Sequence, residues 1–161
     1  MSSPTAGRVA ALAAGFAAAF AAAIALAGCA PYHGTTAQKV QQWAKQDNFV
    51  TNNNQLLDDI QRLRDAVRIG TPLQLNTICG GFASDVGTAY TTLPAPDEEL
   101  TTDLNKADEL FLGASTTCDH VGAVNSVGTT RALAEIAAGV SDLAKSQQLL
   151  KSLGVTWKAK L

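Results

Sequence analysis

Five side chains of this 161-residue sequence belong to the types that most often do chemistry, three cysteine thiols and two histidine imidazoles. They are Cys29, Cys79, Cys118, His33 and His120. Structural zinc sites use cysteines at short spacings such as CxxC, and no such spacing occurs here. His120 follows Cys118 by two residues, so a reactive thiol beside a base is one interpretation of that stretch. A disulfide between Cys79 and Cys118 is the other, and the cell compartment decides between them.

The N-terminal segment indicates export. Arg8 is the one charged side chain before Val9, and the run from Val9 to Ala27 carries no charge. A charged start followed by a small and apolar run is typical of a secretory signal peptide. A membrane-spanning helix is the alternative, since a run of this length can cross a bilayer. However, alanine dominates the run and no cluster of Lys or Arg follows it. Because no twin-arginine pair precedes the run, we expect Sec-type export.

The run ends in Leu26-Ala27-Gly28-Cys29, which resembles the lipobox of bacterial lipoproteins. Leu26 matches the apolar position of that motif, and Ala27 and Gly28 match its small residues. The resemblance implies that the Cys29 thiol receives a diacylglyceryl group and that the chain is cut just before Cys29. Each buried methylene contributes roughly 0.8 kcal/mol, so two or three acyl chains such as palmitate hold a protein on a bilayer almost permanently. The expected location is the outer, extracytoplasmic face of the cell membrane.

Export leaves Cys79 and Cys118 as an even pair, and such pairs usually form disulfides outside the cytoplasm. The bridge would close a loop of about 40 residues, which stabilises a fold by roughly 4 kcal/mol. A metal site or a free thiol remains the alternative, with His33 and His120 as the available imidazoles. We expect no metal and no cofactor.

Two further stretches carry residues that are common in active sites. The stretch "CGGFASDVG", residues 79–87, matches neither GxGxxG nor the Walker A spacing. We therefore expect Gly80 and Gly81 to allow close helix approach around the disulfide. Aspartates and arginines alternate just before it: Asp58, Asp59, Asp65, Arg62, Arg64 and Arg68. Spacings of three and four predict surface ion pairs there, not a paired acid and base, so no catalytic residue is predicted.

Apolar residues recur at steps of three and four through the rest of the chain, which predicts an all-α fold. The stripes comprise Val40, Trp43 and Ala44; Leu56, Leu57, Ile60, Leu63 and Val67; Leu75, Cys79, Phe82, Val86, Tyr90 and Leu93; Leu100, Leu104, Ala107, Phe111, Ala114, Cys118 and Val121; and Val127, Leu133, Ile136, Val140, Leu143, Leu150 and Leu153. They predict a four-helix bundle with one disulfide. A break at Asn52–Asn54 would give five helices, since asparagine is a poor helix former.

Local residues set the expected helix ends and the position of the cysteines. Gly70 and Gly154 are expected to end the second and last helical segments. The proline-rich turn "TTLPAP" should stop the helix before it and fold the next one antiparallel. Cys79 near the start of one helix and Cys118 near the end of the other then lie at the same end of the pair. The helical spacing therefore supports the disulfide independently.

The expected domain organisation has four parts, a signal peptide at 1–28, a lipidated tether at 29–35, a helical bundle at 36–155 and a C-terminal tail at 156–161. The tether sequence "APYHGT" contains proline and glycine, which indicates flexibility and an exposed His33. Trp157 in the tail is expected to pack on the bundle or to lie in solvent. Contact with the membrane interface is the alternative.

Cleavage before Cys29 would remove Arg8, one of the 12 basic side chains, and none of the 14 acidic ones, which leaves a net charge near −3. Nucleic acid is not an expected partner, because no basic patch is present. We hypothesise a non-enzymatic envelope lipoprotein that binds an unknown envelope protein or supports the envelope. The alternative is a carrier that binds an apolar small molecule or lipid between helices rich in alanine and glycine. An enzyme is a third possibility.

The folded part also resembles small exported helical domains of actinobacteria. The resemblance covers roughly residues 38–120 and rests on a tryptophan helix, a cysteine helix, the turn "LPAPDEEL" and a second cysteine helix. Those domains are mostly uncharacterised. The resemblance therefore implies a fold and transfers no active site.

Overall fold

The computed structural model describes residues 32–70, 72–119 and 126–159, and these form five helices without a strand. The helices are α1 (Thr36–Gln46), α2 (Phe49–Ile69), α3 (Pro72–Tyr90), α4 (Glu98–Asp119) and α5 (Val127–Ser152). The prediction of an all-α bundle with one disulfide is confirmed, in its five-helix form. The predicted signal peptide and Cys29 lie outside the described residues.

The first helical segment breaks at Asn48, before the asparagine run at Asn52–Asn54. Asn48 has a φ of 55°, a left-handed conformation that asparagine tolerates better than most residues. The asparagine run lies inside α2, where buried Asn53 donates from Nδ2 to the carbonyl of Phe49 at 3.0 Å. Asn54 Oδ1 accepts a hydrogen bond of 2.8 Å from Trp157 Nε1. These contacts offset the low helix propensity of the run.

Side chains close to the helix ends satisfy the free backbone groups there. Thr35 accepts a hydrogen bond from the Gln38 amide, and the Gln38 side chain accepts one from the Thr35 amide, which forms a capping box at the start of α1. Asp97 Oδ1 accepts from the Leu100 amide at 2.8 Å and caps α4. Gly70 has a φ of 82° and ends α2, as predicted.

The helices pack in chain order, with α2 on α3, α3 on α4, and α4 on α5 over the largest interface. α1 packs on α2, which also touches α5. Phe82 of α3 and Phe111 of α4 meet edge to face in the core, with ring centroids 6.3 Å apart. Gly139 lets α5 approach this pair closely, since a Cβ there would lie 2.6 Å from the Phe111 ring.

The predicted disulfide between Cys79 and Cys118 is present, with a Cα–Cα distance of 5.5 Å. Both cysteines are buried, one in the first half of α3 and the other in the last turn of α4. The bond therefore requires the antiparallel arrangement that the proline-rich turn predicts. It fastens α3 to α4 at one end of the bundle.

The N-terminal part of the fold begins earlier than the predicted tether allows. The Tyr32 hydroxyl donates to Asp47 Oδ2 at 2.7 Å. The His33 amide and carbonyl pair with the Gln42 side chain at 3.2 and 3.0 Å, while His33 itself is exposed as predicted. Residues 32–35 are thus attached to the first helix and do not form a free tether. Residues 29–31 of the predicted tether lie outside the described residues.

The bundle also extends beyond its predicted C-terminal boundary at residue 155. Gly154 has a φ of 82° directly after α5, as expected for a helix end. Trp157 then folds back and is 5 % exposed, with its ring edge-on to Phe49 at a centroid distance of 5.4 Å. Of the predicted alternatives for Trp157, the structure shows packing on the bundle.

Candidate functional site

A surface groove follows the seam between α2 and α3, and we call it the α2–α3 groove. Two adjoining cavities of about 480 and about 330 Å³ form it, and both are lined by Arg62 and Ile78. The larger cavity is more apolar and includes Ala66 and Ile69, whose side chain is 63 % exposed. Because its lining is mostly apolar and open to solvent, this end of the seam is a candidate contact surface.

The smaller cavity of the groove holds two carboxyl groups, Asp59 of α2 and Asp85 of α3. Asp59 is 8 % exposed, and its Oδ2 atom would lie 3.2 Å from a Cβ at Gly81. Because Asp85 is one turn after Gly81 on the same helix face, glycine at position 81 lets the two carboxyls meet. Gln55 Nε2 donates to Asp85 Oδ1 at 3.3 Å, and Arg62 Nη1 lies 3.3 Å from Asp59 Oδ1.

Burial raises the pKa of the Asp59 carboxyl, and the negative charge of Asp85 and a hydrogen bond with it raise that pKa further. Arg62 acts in the opposite direction but only partly, because its side chain is 70 % exposed and screened by water. The predicted ion pair between Asp59 and Arg62 is present, but Asp59 is buried and does not lie at the surface.

The burial of Asp59 could have been predicted from its position among the apolar residues of α2. Asp59 lies three residues after Leu56 and four before Leu63, so it falls on the apolar stripe of α2. A charged residue at such a position is buried when the helix packs. The neighbouring pair of Asp65 and Arg68, at 3.3 Å, lies at the surface as predicted.

The two adjacent glycines of α3 have different surroundings, and neither serves the predicted approach around the disulfide. A Cβ at Gly80 would meet no atom within 4 Å, because this position opens to solvent. A Cβ at Gly81 would meet Asp59 of α2. The prediction for this glycine pair is corrected accordingly. Gly81 allows the Asp59 carboxylate to approach α3, and Gly80 faces no other residue in the described part of the chain.

The solvent side of α3 forms a second candidate surface, which we call the α3 face: Gly80, Ser84, Gly87, Thr88 and Tyr90. All five residues are exposed, and none is charged. Asp85 is the one charged residue in the whole helix, and Asp59 and Gln55 already contact it. The cores of protein interfaces are depleted of charged residues, so the α3 face has the composition of a docking surface.

A further buried acid, Asp108, lies on α4 and was not singled out from the sequence. It is 4 % exposed, and burial raises its pKa to about 7. Asp108 follows Leu104 by four residues and precedes Phe111 by three, so it lies on the apolar stripe as Asp59 does. Helical spacing measured from the stripe identifies both acids.

The remaining candidate residues do not assemble into a reactive site within the described part of the chain. Cys118 is bonded to Cys79, so its thiol is not available to a base. His120 and Cys29 lie outside the described residues. Over the described ranges, no three His, Cys, Asp or Glu side chains are close enough to hold a metal ion. No helix of those ranges has the length and apolarity needed to cross a bilayer.

No protein-family model matches this chain, and no curated protein or solved structure is significantly similar to it.

Proposed function

We propose that the protein is a non-enzymatic lipoprotein, anchored through Cys29 to the outer face of the cell membrane, whose helical bundle binds another envelope protein. The observation that carries the proposal is Leu26-Ala27-Gly28-Cys29 at the end of the uncharged run that begins at Val9. Ala30 and Pro31 alone separate Cys29 from Tyr32, the first residue attached to the bundle. A lipidated Cys29 would therefore be followed almost directly by folded protein.

The α3 face supports a protein partner over a charged ligand. Burying an unpaired charge costs free energy, and this face offers no charge to pair with. The partner that fits it is an envelope protein with an uncharged contact surface. The exposed Ile69 of the α2–α3 groove adds an apolar contact beside it.

Metabolic labelling with an alkyne fatty acid in the native host tests the anchor. Wild-type protein is expected to carry label and to begin at Cys29, whereas Cys29→Ser is expected to carry none and to retain residues 1–28. The matched control is Cys79→Ser/Cys118→Ser, which removes the other two thiols and should keep the label. Equal labelling of wild type and Cys29→Ser would reject the lipoprotein proposal.

Photocrosslinking in living cells tests the partner. A photoreactive amino acid at Thr88, on the α3 face, is expected to capture one defined envelope protein. The same amino acid at Glu109, an exposed position of α4, is the control and should not capture that protein. Capture of the same set of proteins from both positions would contradict docking on the α3 face.

The carrier alternative gains less support from the packing. Gly139 brings α5 onto the Phe111 ring, so this small residue produces close contact where the alternative requires space for a ligand. The cavities described above are open surface grooves. Mass spectrometry of the purified protein, extracted under native conditions, decides the matter: a stoichiometric lipid that is released by unfolding and is not bound to Cys29 would favour the carrier.

A further inference from the structure

The acidic pair at the α2–α3 seam has a property that neither an anchor nor a docking surface requires. We propose that Asp59 keeps its proton in the folded bundle and donates it in a hydrogen bond to Asp85, which forms a pH-sensitive fastening between α2 and α3, closed in acidic surroundings and weakened when that proton leaves. This inference is independent of the lipid anchor and of the partner proposed above.

The geometry of the seam brings the two carboxyls together and shields one of them. Gly81 removes the side chain that would separate Asp59 from α3, since a Cβ there would lie 3.2 Å from Asp59 Oδ2. Gln55 Nε2 holds Asp85 from the α2 side at 3.3 Å. With one proton between them, one carboxyl donates to the other across the seam. With none, two negative charges face each other where Asp59 is 8 % exposed.

Three charged groups act on the Asp59 carboxyl, Asp85 from α3 and Arg62 and Asp58 from α2 itself. α1 and α5, which also pack on α2, contribute none among the described residues. Burial, Asp85 and Asp58 all raise the pKa of Asp59, and only Arg62 lowers it. Arg62 approaches one oxygen of the carboxylate and is otherwise in water, so its compensation is incomplete.

The direction of the pH effect follows from this raised pKa. An acid whose pKa is higher in the folded state than in the unfolded state binds its proton more tightly when folded. The stability of the seam is therefore complete at low pH, and it declines as the pH rises past the unfolded value and through the folded one. The α2–α3 groove lies along the same seam, so its walls should become more mobile under the same conditions.

Hydrogen exchange of backbone amides measures this effect locally. The experiment uses the full chain as exported and processed by its host, purified in mild detergent, and carries Asp108→Asn so that the other buried acid does not titrate. Between about pH 5 and about pH 8, protection of amides in 55–62 and 77–85 should fall several-fold after correction for intrinsic exchange. Protection in the α4–α5 interface should change much less. Unchanged protection in 55–62 and 77–85 would overturn the proposal.

Two variants separate a donated proton from a merely structural contact. Asp85→Asn places an amide donor beside Asp59 and removes the facing negative charge, so protection should depend less on pH than in the wild type, although the burial of Asp59 remains. Asp65→Asn removes a carboxylate of the same helix that is paired with exposed Arg68, and it should keep the wild-type pH response. An equal reduction of the pH response in both variants, or a reduction in neither, would contradict the assignment to Asp59 and Asp85.

Carboxyl carbon NMR of the protein with both aspartates intact keeps the test independent of how the variants fold. The Asp59 carboxyl should titrate above the ordinary value for an aspartate, because burial and the facing Asp85 both raise its pKa. Titration of Asp59 at the ordinary value would overturn the proposal.

Discussion

The α4–α5 interface and the α2–α3 seam are both pairs of antiparallel helices with similar apolar spacing, yet they are built differently. In the first, Gly139 admits the Phe111 ring, and Gly113 lies against the Glu135 carboxylate, whose other oxygen accepts from Arg131 at 2.9 Å. In the second, Gly81 admits the Asp59 carboxylate beside Asp85. A glycine at a helix contact thus produces either tight apolar packing or a polar seam, depending on which side chain lies opposite.

The disulfide joins these two halves of the bundle, so its removal should have the largest effect. The double variant Cys79→Ser/Cys118→Ser is expected to lose about 4 kcal/mol of the free energy of unfolding, because a loop of about 40 residues is no longer closed in the unfolded chain. Denaturant titration followed by circular dichroism measures this loss, and helix content without denaturant should be largely kept. Cys29→Ser is the control and should leave the midpoint unchanged; an equal loss in that variant would contradict the assignment.

Substitution of Asp108, on the closely packed side of the bundle, should have the second largest effect on the free energy of unfolding. Its pKa rises from 3.8 to about 7 on folding, so the fold favours the protonated acid and loses stability as the pH increases between these values. Asp108→Asn should therefore gain about 2 to 4 kcal/mol at pH 8 and almost nothing at about pH 3.5. Urea titrations at the two pH values measure the difference. Glu109→Gln, an exposed neighbour, should show no such gain, and an equal gain there would exclude burial as the cause.

Substitution of single glycines distinguishes the closely packed α4–α5 interface from the solvent side of α3. Gly139→Ala should lose about 2 kcal/mol, because its Cβ would lie within 3.0 Å of three Phe111 ring atoms. Gly80→Ala should instead gain about 0.5 to 1 kcal/mol, since its Cβ meets no atom within 4 Å and alanine is the better helix former. Thermal unfolding of both variants tests this. Effects of the same sign would contradict the close packing of Gly139 on the Phe111 ring.

The smallest predicted effect lies within the α2–α3 seam and compares two arginines of α2. Arg68→Gln should change the free energy of unfolding by less than about 0.5 kcal/mol, because Arg68 and Asp65 are both well exposed. Arg62→Gln should cost more, about 1 kcal/mol at pH 8, since it leaves the buried Asp59 carboxylate without its counter-charge. Denaturant titrations at low and high salt measure both. A larger loss of stability for Arg68→Gln than for Arg62→Gln would contradict the conclusion that the Asp59–Arg62 pair is the more stabilising of the two.

The sequence was sufficient to predict the helices, several of their ends and the disulfide, because each of these depends on local spacing. Cys79 and Cys118 fall on apolar stripes on either side of a proline-rich turn, and the helical repeat then brings them to one end of the pair. Gly70 and Gly154 mark helix ends because they adopt positive φ at little cost. The same local rules left open whether the helix breaks at the asparagine run, and the structure continues the helix there.

The candidate site was less accessible because it depends on contacts between distant parts of the chain. Asp59 and Asp85 belong to different helices, and the spacing of Asp59 from Arg62 suggested an ordinary surface pair. The role of Gly81 becomes clear only when α2 lies against α3, since both Gly80 and Gly81 have the same local sequence signal. Asp108 could have been identified from its place on the stripe, but not the extent of its burial.

Neighbours along the chain are enough to predict the helical periodicity, the glycine and proline boundaries, the pairing of two cysteines and a lipidated Cys29. Three features depend instead on the packed helices: the break at Asn48, the hydrogen bond between Asn54 and Trp157 across 103 residues, and the position of Asp59 opposite Asp85. Those outcomes depend on which helix faces meet and on how much water they exclude. Burial sets both the worth of a hydrogen bond and the pKa of a carboxyl, and neither can be read from spacing alone.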